Sequence, residues 1–200
     1  MSQFIANHWL DIVTTILGLA YILLEYRVSI WLWIVGFFMQ SLDIVLYYQK
    51  GLYADCGMEL YFLGMTFYGL YHWLRKNSKE KKESPYIPIT HFPIRLAYIW
   101  TILTLCIWGA IYWFLVTYTD SRVPIADSFT TALSFVGIWA LARKYLEQWL
   151  IWIVVDVVTS ALYFYKDIPF KASLYALYVV IAILGYRKWR KMMIQESVGS

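Results

Sequence analysis

Seven runs of mainly apolar residues, at about 9–26, 30–48, 53–74, 94–117, 126–142, 148–165 and 170–189, take up nearly all of this 200-residue chain. A hydrocarbon core about 30 Å thick is crossed by roughly 20 such residues in a helix, and each run is of that order. The runs are continuously apolar and lack the two-residue alternation of a barrel strand, so backbone groups must be satisfied within each segment. The expected fold is an all-α membrane protein with seven transmembrane helices. Only 15% of the residues are charged while 61% are hydrophobic, which leaves almost nothing from which to build a soluble domain.

Basic residues set the expected orientation. "RKNSKEKKESP" follows the third run, Arg143 and Lys144 lie between the fifth and sixth, and "RKWRKMM" follows the seventh, while the alternate connections, such as "YYQKGLYAD", mix acids with scattered bases. The positive-inside rule puts the three basic regions in the cytoplasm, the N-terminus outside and the C-terminus inside. The net charge of +4 is then topological and implies no nucleic acid partner. The opening "MSQFIANHWLD" lacks a basic leader and a small-residue cleavage site, so it is expected to stay in the mature protein. Cys56 and Cys106 show neither pairing nor ligand spacing and read as packing residues.

The chain matches itself in one ungapped register. Asp11, Thr14, Thr15, Arg27, Trp33, Lys50, Gly69 and Trp73 fall on Asp127, Thr130, Thr131, Arg143, Trp149, Lys166, Gly185 and Trp189, a constant offset of 116 residues. The runs group as three, one and three. The expected organisation is a first three-helix repeat at 1–76, a basic loop and linker helix at 77–119, a second repeat at 120–192 and a cytoplasmic tail at 193–200. Two three-helix units joined directly would face opposite ways; the linker helix makes them parallel, an arrangement of transporter folds with a solute site near the bilayer midplane between the repeats.

On the sixth run Trp149, Trp152, Asp156, Thr159, Ser160 and Tyr163 share one helical stripe, and on the second Trp33, Gly36, Gln40, Asp43 and Tyr47 do the same. The third and seventh runs add Glu59, Phe62 and Thr66, and Tyr175 and Tyr178. Trp9, Trp73, Trp113 and Trp189 lie near run ends and read as interfacial anchors. Thr14, Thr15, Thr130 and Thr131 read as helix-to-helix glue. Asp11, Asp127 and Glu25 lie near run ends, within reach of water or a helix N-terminus. Asp156, Asp43 and Glu59 are different: an acid at depth costs at least about 2.5–3.5 kcal/mol on insertion scales, and these runs offer no base to neutralise it. Protonation, a polar network, a water-filled cavity or a cationic ligand would each compensate. Aromatic rings beside carboxylates suit flat cationic heterocycles. The candidate substrate-binding set is Trp33, Gln40, Asp43, Glu59, Thr66, Trp149, Trp152, Asp156, Tyr163, Tyr175 and Tyr178.

No phosphate-loop motif, no H-E-x-x-H and no Cys/His ligand set occurs, and His8, His72 and His91 are far apart, so neither an enzyme nor a metal or other cofactor is expected. Two other readings are a sugar facilitator, which would favour neutral polar groups, and a passive binding subunit that docks on an energising partner.

"ARKYLEQWLIWIVVDV" and "GLYADCGMELYFLGMTFYGLYHW", within the three-one-three plan, resemble the Pnu family of bacterial vitamin transporters, and the most specific part is the W-x-x-W-x-x-x-[ND] pattern at Trp149, Trp152 and Asp156. The resemblance implies a SWEET-like fold in the bacterial inner membrane, facilitated diffusion of a small vitamin, trapping by a separate cytoplasmic kinase, and a homotrimer. Nicotinamide riboside members usually carry an amide where this chain has Asp156, and amide or apolar groups where it has Asp43 and Glu59. Acids suit the aminopyrimidine and thiazolium of thiamine, so the thiamine-carrying group is the first expectation. Nicotinamide riboside, itself a cation, is the alternative.

Overall fold

The computed structural model describes residues 2–49, 53–75, 88–119, 121, 123–165 and 169–198, except the side chains of 2–8, 11–12, 53–55, 169–171 and 196–198. The Asp11 side chain, Lys50, Lys166 and the basic loop at 76–87 therefore lie outside the described residues. Seven helices follow in order: α1 (Ser2–Tyr26), α2 (Trp31–Gln49), α3 (Tyr53–Leu74), α4 (Ile94–Tyr118), α5 (Pro124–Ala142), α6 (Gln148–Tyr165) and α7 (Pro169–Val198). Proline opens α5 and α7 and precedes α4 at Pro93, positions where its missing N–H removes no helical bond. The seventh helix outruns its apolar segment because "RKWRKMMIQES" is rich in good helix formers, which carry the backbone on after hydropathy has fallen.

Among the described residues, α2, α4, α5 and α6 are long and apolar enough to cross a bilayer, and α1 has a shorter apolar stretch, Val13–Tyr26. Contacts divide the chain into two compact units, Met1–Lys76 and Asn77–Ser200. Within the first, α2 packs against α1 and α3; within the second, α5 packs against α4 and α6, and α6 against α7. The fourth helix buries none of its residues, and Ile94, Tyr98, Ile102, Trp113 and Tyr118 are all mostly exposed. An all-round apolar surface of this kind is stable against lipid, not water.

The 116-residue offset recurs in the backbone. Helices α1 and α5 end at Tyr26 and Ala142, α2 and α6 at Gln49 and Tyr165, and α3 and α7 begin at Tyr53 and Pro169. The turns after α1 and α5 are the same turn. The Val28 N–H bonds to Glu25 O and the Ser29 N–H to Leu24 O; the Lys144 N–H bonds to Leu141 O and the Tyr145 N–H to Ala140 O. This is the Schellman closure of a helix C-terminus, whose left-handed residue is ordinarily glycine. Here Val28 and Lys144 hold it, each at φ 55°.

The second unit adds a strap to this turn, one not seen at its counterpart among the described residues. Thr90 pairs with Tyr145 in an isolated parallel bridge, through Thr90 N–H to Lys144 O and Leu146 N–H to Thr90 O. Glu147 completes it: Oε2 accepts the Phe92 N–H at 2.8 Å, and Oε1 lies 2.7 Å from His91 Nδ1. Rings of Phe92, Trp100, Trp139 and Tyr145 close over the junction. At the position matching Glu147 the first unit has Trp31, which is mostly exposed.

Candidate functional site

Each unit is pinned by a tryptophan laid on a glycine. Trp33 of α2 covers Gly69 of α3, and Trp149 of α6 covers Gly185 of α7; a side chain at either glycine would fall inside the indole. Trp73 meets Trp33 edge-on with centroids 5.5 Å apart, and Trp189 meets Trp149 in the same way at 5.6 Å. All four rings are buried. Trp73 and Trp189 are thus not the interfacial anchors their places near run ends imply; they are the far halves of paired indoles. Trp33 and Trp149 are each engaged by a glycine and by a second indole inside their own units.

One and two turns further along α2 and α6 the units diverge. In the first, Gln40 is buried and its Oε1 accepts a 2.7 Å hydrogen bond from Thr66 Oγ1 of α3. This bond turns the Gln40 amide so that its NH2 is the end left for other partners. In the second unit the matching residues are Asp156 and Ala182, both buried, so the hydroxyl is missing and the carboxylate has no hydrogen bond among the described residues. Tyr178 of α7 is within electrostatic reach of Asp156, Tyr175 meets Tyr178 edge-on at 5.6 Å, and Tyr163 stacks on Tyr175 at 5.4 Å. Trp152, Asp156, Tyr163, Tyr175 and Tyr178 therefore form one aromatic-lined stretch of α6 and α7 around a single acid. In the first unit Glu59 is buried and Asp43 half-buried.

The matched contacts between helices are kept while their contributors change sides. Tyr21 of α1 rests on Gly36 of α2, with its Cε2 3.0 Å from where a methyl there would sit; Trp152 of α6 rests on Gly137 of α5, its Cζ2 3.1 Å from the corresponding point. Tyr21 and Gly137 are one pair under the offset, Gly36 and Trp152 the other. Likewise Cys56 of α3 donates to Ile44 O of α2, whereas Ser160 of α6 donates to Ala172 O of α7. Both exchanged rings end in a buried polar atom with no partner, the Tyr21 hydroxyl and the Trp152 Nε1.

Other polar residues serve the helices themselves. Thr130 and Thr131 donate to Ala126 O and Asp127 O of their own helix, so they do not tie helix to helix as expected. Asp127 accepts from Ser121 Oγ at 2.9 Å. Glu25, expected to reach water, is buried. Sequence reasoning passed over Tyr21, Gly137 and Gln148, whose side-chain amide is fully buried with neither polar atom bonded. An exchange of ring and glycine looks like two mismatches when residue types are aligned, and Gln148 matches a leucine, Leu32.

Known proteins resemble this chain over nearly its whole length. A family model described as nicotinamide mononucleotide transporter matches residues 8–191. The nicotinamide riboside transporter PnuC of Escherichia coli (strain K12) is 25% identical over 205 residues, covering 90% of this chain and 84% of that one. The riboflavin/roseoflavin transporter RibM of Streptomyces davaonensis is 27% identical over 181 residues, with the same coverage. The crystal structure of the vitamin B3 transporter PnuC superposes with a TM-score of 0.73 over 96% of this chain and 85% of that one, at 22% identity, a likeness of fold. The expectation of thiamine finds no support in these relatives, and the physical reason is plain: a carboxylate attracts either cationic ring, so Asp156, Asp43 and Glu59 do not choose between them. Because the family model runs from the first helix to the last, through both units, the chain belongs to the nicotinamide mononucleotide transporter family, the Pnu-type vitamin transporters of the membrane.

Proposed function

We propose that this protein carries a small vitamin with a cationic ring, nicotinamide riboside before others, across the bacterial cytoplasmic membrane by facilitated diffusion. The observation that supports this most is Asp156: a buried carboxylate with no hydrogen bond among the described residues, one turn from Trp152 and beside Tyr178. A planar pyridinium stacked on an indole would bring its positive charge to that acid, a charge that neutral riboflavin lacks. Gln40, held by Thr66, adds an amide donor in the first unit, and the rest of the set (Asp43, Glu59, Tyr163 and Tyr175) supplies polar and aromatic surface. Trp33 and Trp149 act through packing.

The wider reading keeps the three-one-three, SWEET-like plan with the N-terminus outside, no catalytic step, uptake sustained by a cytoplasmic kinase that phosphorylates the arriving vitamin, and a homotrimer as the assembled form. Titration calorimetry of the purified protein with nicotinamide riboside, riboflavin and thiamine tests the substrate. Nicotinamide riboside should bind tightest. Asp156→Asn should weaken it by about 1.5–3 kcal/mol, the worth of a hydrogen bond to a charged group, or roughly ten- to a hundred-fold. Tighter binding of thiamine, or unchanged affinity in a folded Asp156→Asn protein, would refute the assignment.

A further inference from the structure

We infer that residue 182 is a specificity-determining position: alanine there keeps the Asp156 carboxylate open to a cationic solute, and a hydroxyl there would take it up. The inference deepens the reading of the protein as a carrier of a cationic vitamin and rests on it. Its basis is a polar contact that the repeat does not keep. In the first unit the Thr66 hydroxyl of α3 donates to Gln40 Oε1 of α2 at 2.7 Å, and both residues are buried. In the second unit α6 lies on α7 in the same register, since Trp149 covers Gly185 and meets Trp189 as Trp33 covers Gly69 and meets Trp73. The places of Gln40 and Thr66 therefore fall to Asp156 and Ala182. Ala182 is fully enclosed and Asp156 nearly so, yet the acid has no hydrogen bond among the described residues.

A carboxylate accepts a hydrogen bond more strongly than an amide oxygen does and costs more to bury without one. The hydroxyl is thus missing from the unit in which it would stabilise more. Packing offers a competing reason for a small residue. Gly36 is matched by Trp152, and a methyl at Gly36 would already stand 3.4 Å from the Thr66 hydroxyl, so the side chain at 152 limits the room at 182. The two reasons differ in what they forbid: crowding forbids volume, whereas an acid held for a ligand forbids a donor. A positive ring, or an N–H of the solute, then supplies to Asp156 what Thr66 supplies to Gln40.

Ala182→Ser adds a donor with little volume, and Ala182→Cys adds more volume with a weak donor. The full-length purified protein and both variants are titrated with nicotinamide riboside, thiamine and riboflavin, and their unliganded melting points are compared. Ala182→Ser should bind nicotinamide riboside about three- to ten-fold more weakly while melting at or above the parent. That is at or below the lower end of the worth of a hydrogen bond to a charged group, because aspartate is one methylene shorter than glutamine and meets the hydroxyl less squarely. Ala182→Cys should lose less affinity and melt lower. Packing alone predicts the opposite order, with cysteine worse than serine in both measurements, and that order overturns the inference, as does unchanged affinity in Ala182→Ser. If the parent prefers thiamine and Ala182→Ser weakens its binding instead, the inference stands and the assignment of nicotinamide riboside falls. If the parent binds riboflavin alone, or none of the three, the inference falls together with the reading it rests on.

Discussion

Placing a methyl at Gly69 tests the paired indoles directly, with Gly64 on the same helix as its control. A Cβ at Gly69 would lie well under 3.0 Å from Trp33, whereas one at Gly64 meets nothing within 4 Å. The obstructing atoms belong to a rigid bicyclic ring, buried and held edge-on by Trp73, so they cannot swing aside as the end of a flexible chain would. Overpacking of this kind costs about 1–3 kcal/mol, and the closeness here argues for the upper part of that range. Replacing glycine by alanine in a helix returns up to about 1 kcal/mol. Gly69→Ala should therefore lose about 1–2 kcal/mol net, while Gly64→Ala is neutral or gains up to about 1 kcal/mol. Thermal unfolding of the detergent-solubilised protein, followed by tryptophan fluorescence, reads the difference. The second unit supplies a graded repeat, since a methyl at Gly185 would come to 2.6 Å from Trp149 and one at Gly137 to 3.1 Å from Trp152. The expected order of loss is Gly69, Gly185, Gly137. If Gly69→Ala unfolds at the temperature of Gly64→Ala, the indole does not rest on α3 and the account of how each unit is pinned is wrong.

Thr66→Val should lower stability by about 1–3 kcal/mol, the cost of leaving the buried Gln40 carbonyl unbonded, and Thr66→Ser should restore most of it in the same melting assay. In the strap, Glu147→Ala should destabilise more than His91→Ala: the exposed His91 pair is worth under about 1 kcal/mol, whereas the Phe92 N–H loses a charge-assisted partner, and faster amide exchange at Phe92 in Glu147→Ala alone would show it. Proteoliposomes holding only this protein should equilibrate labelled nicotinamide riboside without concentrating it, and accumulation driven by an imposed proton gradient would refute facilitated diffusion. On a background without Cys56 and Cys106, a cysteine at Ser78 should resist a membrane-impermeant reagent on intact cells; ready labelling would reverse the proposed orientation.

Much of the fold was legible because hydropathy and proline punctuate this chain clearly. The runs at 53–74 and 148–165 coincide with α3 and α6, and Pro93, Pro124 and Pro169 mark where α4, α5 and α7 start. The helical extension to Val198 was not legible from hydropathy, which ends with the apolar run while backbone propensity does not. Period and spacing put Trp152 and Asp156 on one face of α6, since both report on one helix. What Trp33 and Trp149 touch depends on a glycine in another helix, and nothing along α2 or α6 announces it. The burial of Trp73 and Trp189 was hidden for the same reason: position near a run end predicts depth in the membrane, not the neighbour a ring will find. Thiamine was overread from the acids because charge identifies a class of ligand and not its member.

The exchange of ring and glycine between the two units has a consequence for the paths by which such a chain changes. If the halves arose from one duplicated unit, the space between the first two helices was once filled from a single side, and in one half the filling side chain later crossed over. No single substitution makes that crossing. A state with two rings sets one aromatic into another, since even a methyl at Gly36 comes to 3.0 Å from Tyr21. A state with two glycines leaves a hole the size of an aromatic side chain, and emptying such a site costs about 3–5 kcal/mol, a large share of what holds a domain of ordinary stability together. Intermediates with a medium side chain on each helix offer the shallower route, so a drifting half would pass through leucine or alanine pairs at 21 and 36 or at 137 and 152. The unit of inheritance at this contact is the filled volume, and the helix that fills it is free to vary.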